Sequence, residues 1–100
     1  MYFDGAGVPQ DFVQAAAWYL KAANQGYRVA QDRIGGMYER GQGVAQDYLQ
    51  AHMWFNLAAA NEKDATLRET WISDRNEVAG KMTPAQIAEA QRLASRWAPK

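Results

Sequence analysis

Residues 37–59 read MYERGQGVAQDYLQAHMWFNLAA, and residues 1–23 read MYFDGAGVPQDFVQAAAWYLKAA. Set 36 places apart, Met1/Met37, Tyr2/Tyr38, Gly5/Gly41, Gly7/Gly43, Val8/Val44, Gln10/Gln46, Asp11/Asp47, Gln14/Gln50, Ala15/Ala51, Trp18/Trp54, Ala22/Ala58 and Ala23/Ala59 are identical. Phe12/Tyr48, Val13/Leu49 and Tyr19/Phe55 are conservative pairs. Identity this dense at a fixed spacing marks a tandem repeat, in which each unit relies on its neighbours to bury its apolar face.

The unit reads as a helical hairpin. Asp11 and Asp47 each precede an apolar-periodic run and have Gln three residues on, the pattern of a helix cap. Beyond them Phe12, Ala15, Trp18/Tyr19, Ala22/Ala23 and Tyr48, Ala51, Trp54/Phe55, Ala58/Ala59 recur at three- and four-residue spacing. Gly26 stands where a left-handed residue would end the first of these helices. A second kind of helix is predicted over 29–40, with Ala30, Ile34 and Met37/Tyr38 on its apolar face. It stops at Gly41-Gln42-Gly43, whose glycines permit the reversal. Asp64 caps a further helix carrying Leu67, Trp71, Val78 and Met82. Thr83-Pro84-Ala85-Gln86 then combines an N-cap, Pro at the first helical position and Gln at the third. That last helix presents Ile87, Ala90, Leu93/Ala94 and Trp97.

No segment shows the alternation of a half-buried strand. The expected fold is all-α: an α/α superhelix, or solenoid, of about five helices ending in a capping helix. One domain is expected over 1–100, made of a partial repeat 1–26 lacking its first helix, a full repeat 27–62, and an atypical terminal repeat or cap 63–100.

Composition narrows the function classes. One hundred residues suffice for one core. Eleven Lys+Arg balance eleven Asp+Glu, which speaks against nucleic acid or an anionic membrane, both of which need clustered positive charge. Zero cysteines exclude a disulfide scaffold, a thiolate zinc site and a cysteine nucleophile. No apolar run approaches the roughly 20 residues of a membrane helix. Met1-Tyr2-Phe3-Asp4-Gly5 shows no charged n-region or apolar h-region. The default expectation is therefore cytoplasmic, with a periplasmic or secreted location open if an upstream signal peptide has been removed.

The repeated residues resemble the Sel-one-like repeat family, relatives of the tetratricopeptide repeats. The resemblance rests on Ala30, Ile34-Gly35-Gly36-Met37-Tyr38, Gly41-x-Gly43-Val44, Gln46-Asp47-Tyr48, Ala51, Trp54-Phe55 and Ala58-Ala59. The partial unit matches from Tyr2 to Gly26, and Met82-Thr83-Pro84 with the helix that follows looks like a family ending. It implies a superhelical adaptor that binds a protein or peptide, without fixed catalytic residues. Some cysteine-rich relatives are credited with binding or hydrolysing cell-wall-type ligands, so a hydrolase of that kind is the alternative. A structural fragment of a longer solenoid with no site of its own is a third reading.

The residues one by one favour structure over chemistry. Gly5-Ala6-Gly7 and Gly41-Gln42-Gly43 lack the strand, third Gly or Lys-Ser/Thr of a phosphate loop, so they read as interhelical turns. Trp18 and Trp54 lie on apolar stripes and are expected in the core, and Trp71 and Trp97 close its end. His52 is the only histidine, and Ala16 takes its place one unit earlier, which suggests a position near the surface. Ser73 and Ser95 have no second histidine to serve as base. No metal site and no cofactor are expected.

What remains is a surface. Asp32, Gly36 and Glu39 fall one turn apart, away from Ala30, Ile34 and Tyr38. Carrying a register of about 37 into the next helix of the same kind adds Glu69, Ser73 and Asn76. This acidic-leaning groove reads either as the seat of a partner's basic side chain or as an ordinary solvated face. Tyr2, Phe3, Val8, Phe12 and Tyr19 would leave an apolar edge, which predicts a homo-oligomer through the N-terminal unit or a longer parent chain. Ile87, Leu93 and Trp97 are expected to close the other end.

Overall fold

Most helices of this chain begin where a side chain offers the first turn an acceptor. In the computed structural model, which describes residues 11–60 and 62–99, α1 (Phe12–Asn24) follows Asp11, whose Oδ1 accepts the Gln14 N–H at 2.9 Å. Asp47 accepts the Gln50 N–H at 3.1 Å ahead of α3 (Tyr48–Ala60). Asp64 accepts from Thr66 and Leu67 ahead of α4 (Ala65–Ala79). Before α5 (Pro84–Arg96) the box is complete: Thr83 Oγ1 accepts the Gln86 N–H, and Gln86 Oε1 accepts the Thr83 N–H. Such caps satisfy backbone donors that the helix itself leaves unpaired. Only α2 (Arg28–Arg40) starts without a side-chain cap, behind the turn made by Gly26 at φ +98°.

The loop from α2 to α3 is tied down at both ends. Gly41 (φ +70°) and Gly43 (φ +76°) take the left-handed conformation that the reversal needs. Asp47 N–H donates to the Tyr38 carbonyl at 2.9 Å, and Gln46 Nε2 donates to the Glu39 carbonyl at 2.9 Å. A Cβ on Gly43 would stand 2.0 Å from the carbonyl oxygen of Phe12, so this loop lies directly on the start of α1.

The described residues form five helices with α3 at the centre, packed on α2, α4 and α5, while α1 packs on α2. The described residues form no strand, and the all-α solenoid expected from the repeat is what they build. The largest core cluster joins Ala16, Ala23, Ala30, Ile34, Met37, Met53, Trp54, Leu57 and Ala94 across four helices. Trp54 meets Trp97 edge to face, ring centres 6.0 Å apart. Phe55 packs with Ala51 and Val78, and Trp71 with Ala58 and Ala59. Leu93 and Trp97 close the core at the α5 end as expected, and Ile87 is half-buried.

Four expectations are corrected. Trp18 is 68% exposed although Trp54 is 3% exposed. Trp54 is covered by Trp97, and 37 residues before Trp97 the chain has only Ala60, so no ring plays that part for Trp18. His52 is buried at 2% exposure, not near the surface. Its counterpart Ala16 is equally buried, so the repeat position is interior in both units and its size follows its neighbours. Phe12 and Tyr19 are half-buried and pack on the first core cluster, so the large apolar side chains that α1 exposes are instead Val13 and Trp18. Met82 lies beyond the end of α4 and reaches the Ala51–Phe55–Val78 cluster from the turn. Tyr2, Phe3, Gly5, Gly7 and Val8 lie outside the described residues.

Truncating the two equivalent tryptophans should therefore have unequal effects. Trp54→Ala is expected to lower unfolding stability by roughly 3–5 kcal/mol, as for other buried aromatics. Trp18→Ala should change it by less than about 1 kcal/mol. Urea midpoints of the two variants against the parent chain measure the difference.

Candidate functional site

A pocket of about 200 Å³ opens between α2 and α4. Asp32, Arg33, Gly36, Glu39 and Arg40 line it from α2, Asp74 and Glu77 from α4, and Phe55 of α3 closes its base. Four carboxyl groups face two guanidinium groups. Gly36 matters through what it leaves out. A Cβ there would lie 3.0 Å from Arg40 Nη2, so the guanidinium rests over bare helix backbone. Glu39 also meets Lys81 Nζ at 3.6 Å.

Asp32 is the group most altered by this setting. Burial, followed by the charge and hydrogen bond of Asp74, pushes its pKa up from 3.8 to about 6, against the opposing pull of Arg33 and Arg40. Removing water disfavours the charged carboxylate, and a second carboxylate across the pocket disfavours it further. Asp32 thus holds a proton in mildly acid solution and releases it near neutrality. Among the described residues no group of three or more His, Cys, Asp or Glu is arranged to hold a metal ion.

Asp32, Gly36 and Glu39, expected together from their one-turn spacing, do share this pocket. Glu69, Ser73 and Asn76 do not line it: Glu69 and Ser73 are exposed, and Asn76 Oδ1 accepts from Arg75 Nη2 at 3.3 Å. The reason is rotational. α4 starts 37 residues after α2, and the face it turns to the pocket lies one place beyond that register. A residue one place on is turned by about 100°, which brings in Asp74 and Glu77. That signal was present in the sequence, as were Arg33 and Arg40 flanking the acidic stripe.

His52 sits apart from the pocket on α3. Burial and the nearby Arg75 lower its pKa below 6.5, and Arg75 itself donates to Asn56 Oδ1 at 3.0 Å.

A sequence profile described as Sel1 repeat matches residues 1–27 and 28–62. Among solved structures, the chain is similar to a protective antigen present in uropathogenic Escherichia coli strains that displays an SLR fold. The two share 37% identity with a TM-score of 0.83 over 95% of this chain. The match covers 20% of that antigen's chain, so the present chain spans about a fifth of its length. No curated protein sequence matches.

The titration of Asp32 should be visible in stability. Its folded pKa lies above its unfolded value, so its contribution is full below pH 3.8 and is lost as pH rises through about 6. His52 acts in the opposite sense, its depressed pKa removing stability as pH falls below 6.5. Asp32→Asn keeps a neutral group beside Asp74. The variant is expected to gain on the parent chain between pH 4.5 and pH 7.5, read as the difference in urea midpoint at the two pH values.

Proposed function

The chain belongs to the Sel1 repeat family, and from that premise we propose that it is a non-enzymatic scaffold that docks a partner protein or peptide. The observation that supports this reading most is the pocket between α2 and α4, where Asp32, Glu39, Asp74 and Glu77 outnumber Arg33 and Arg40. A lysine or arginine side chain of the partner enters it, with its charge among the carboxylates. Arg40, which rests over Gly36, shifts aside to make room.

Fluorescence anisotropy with short labelled peptides, one series carrying a single lysine and a matched series carrying glutamate, tests the reading at pH 7.5. The lysine series should bind better. Asp74→Asn combined with Glu77→Gln should weaken it by on the order of tenfold, since each exposed ion pair contributes up to about 1 kcal/mol. Equal binding of the two series would remove the acidic pocket as the docking site.

Self-association through the first repeat also stands as a proposal, with Val13 and Trp18 as its contact residues. Trp54 is closed by the ring of Trp97, just past the end of α5, and a second copy of the chain can offer Trp18 the same. Sedimentation velocity across micromolar concentrations should show a mass that grows with concentration for the parent chain and not for Trp18→Ser. A strictly monomeric parent chain would end this proposal.

A further inference from the structure

The large apolar side chains that the described residues leave exposed fall into two groups of different shape. Val13 and Trp18 stand out from α1. Tyr27, Val29 and Leu67 border a hollow of about 330 Å³ between the start of α2 and the first turns of α4. Trp71, which is buried, lines the same hollow with Arg28 and Glu62. Trp18 is thus a knob without a socket, and the hollow is a socket without a knob. The chain does not fill the one with the other, since Trp18 is 68% exposed and takes no part in the lining.

The hollow suits a single aromatic side chain. Its volume stands at the small end of the roughly 300–1,000 Å³ usual for sites that enclose a ligand. Its lining is largely aromatic and aliphatic, and the one ion pair in it, Arg28 Nε to Glu62 Oε1 at 2.7 Å, carries no net charge. Aromatic rings in contact attract beyond the area they bury, and this chain already covers Trp54 with the ring of Trp97. Among the described residues Trp18 and Tyr27 are the two exposed aromatic side chains.

Charge agrees with shape. Lys21 is the only charged side chain of α1, and its place three residues after Trp18 puts it on the same side of the helix. Asp64 is exposed and stands three residues before Leu67 at the head of α4. A copy that seats Trp18 in the hollow of another brings Lys21 toward a rim where Asp64 and Glu62 are available.

Resting on the self-association proposed above, we infer that Trp18 of one copy inserts into the hollow formed by Tyr27, Val29, Leu67 and Trp71 of a second copy. Knob and socket are different patches of the same surface, so each joint pairs unlike faces of two identical chains. A tryptophan buries roughly 150–250 Å², well short of the about 1,200 Å² of a stable interface. The joint is therefore weak, with a dissociation constant on the order of 100 μM.

Complementary variants test the pairing in sedimentation velocity. Trp18→Ser removes the knob and keeps the socket. Tyr27→Ser combined with Leu67→Lys spoils the socket and keeps the knob, and serine at the start of α2 supplies the cap that this helix lacks. Each variant alone should associate at least about tenfold more weakly than the parent chain. Mixed in equal amounts, the two should recover a two-copy species and nothing larger. A socket variant that associates as strongly as the parent overturns the inference while self-association itself stands, through another contact. A mixture that stays monomeric also overturns it, and a monomeric parent chain ends both. Dilution of the ¹⁵N-labelled parent decides the matter even if the socket variant folds poorly: the Trp18 indole and the Tyr27 and Leu67 amide signals should shift together. A shift at Trp18 without the other two would sink the pairing.

Discussion

The close approach of α2 to α3 at Gly35 is the constraint on which the rest of this molecule depends. A Cβ on Gly35 would stand 2.9 Å from two carbons of the Phe55 ring and 3.3 Å from the Ala51 carbonyl. Two helices can meet this closely only where one presents bare backbone, and the contact pins both the separation and the rotation of the pair. With α2 so held, Ile34 and Met37 are buried in the core, Asp32, Gly36 and Glu39 line the pocket shared with α4, and Gln31 reaches the Ala23 carbonyl. Phe55 does double service, filling the space against Gly35 and forming the base of the acidic pocket.

Around that contact the chain shields polar groups from water in three chemically distinct ways. Asp32 remains uncharged into mildly acid solution by keeping a proton that an exposed aspartate would have released. His52 does the reverse and gives its proton up more readily, since a buried cation beside Arg75 is disfavoured twice. Gln31 has no proton to exchange, so it satisfies its donor on Ala23 and leaves its acceptor open. Charge states can adjust to burial, whereas an amide can only find a partner or remain without one.

Local signals in the sequence were read correctly because their physics is local. Asp47 lies three residues from the N–H it accepts, Thr83 and Gln86 complete each other's bonds within one turn, and Gly26, Gly41 and Gly43 take conformations favoured by the absence of a side chain. Burial is not local, and it misled wherever a residue was judged from its own helix alone. Trp18 and Trp54 share a stripe pattern, but their exposure is decided by Trp97, 43 residues beyond Trp54. His52 looked tolerant of exposure because Ala16 replaces it, whereas α3 is hemmed by three other helices. In the acidic pocket the α2 residues were legible from one-turn spacing, and those of α4 were missed for want of one step of helical rotation.

A repeat explains the scaffold better than it explains any site on it. Residues that recur every 36 positions perform tasks that each unit must repeat: Asp11 and Asp47 cap, and Ala15, Ala22, Ala51 and Ala58 keep helices close. Gln31, Asp32, His52 and Asp74 are not among the residues that recur. A stack of identical units would offer the same surface at every step and could not tell one segment of a partner from the next. Discrimination along the superhelix requires a difference between successive units, and here the differences lie in which polar groups the interhelical spaces enclose. The chemistry of this chain is therefore to be sought where its periodicity fails.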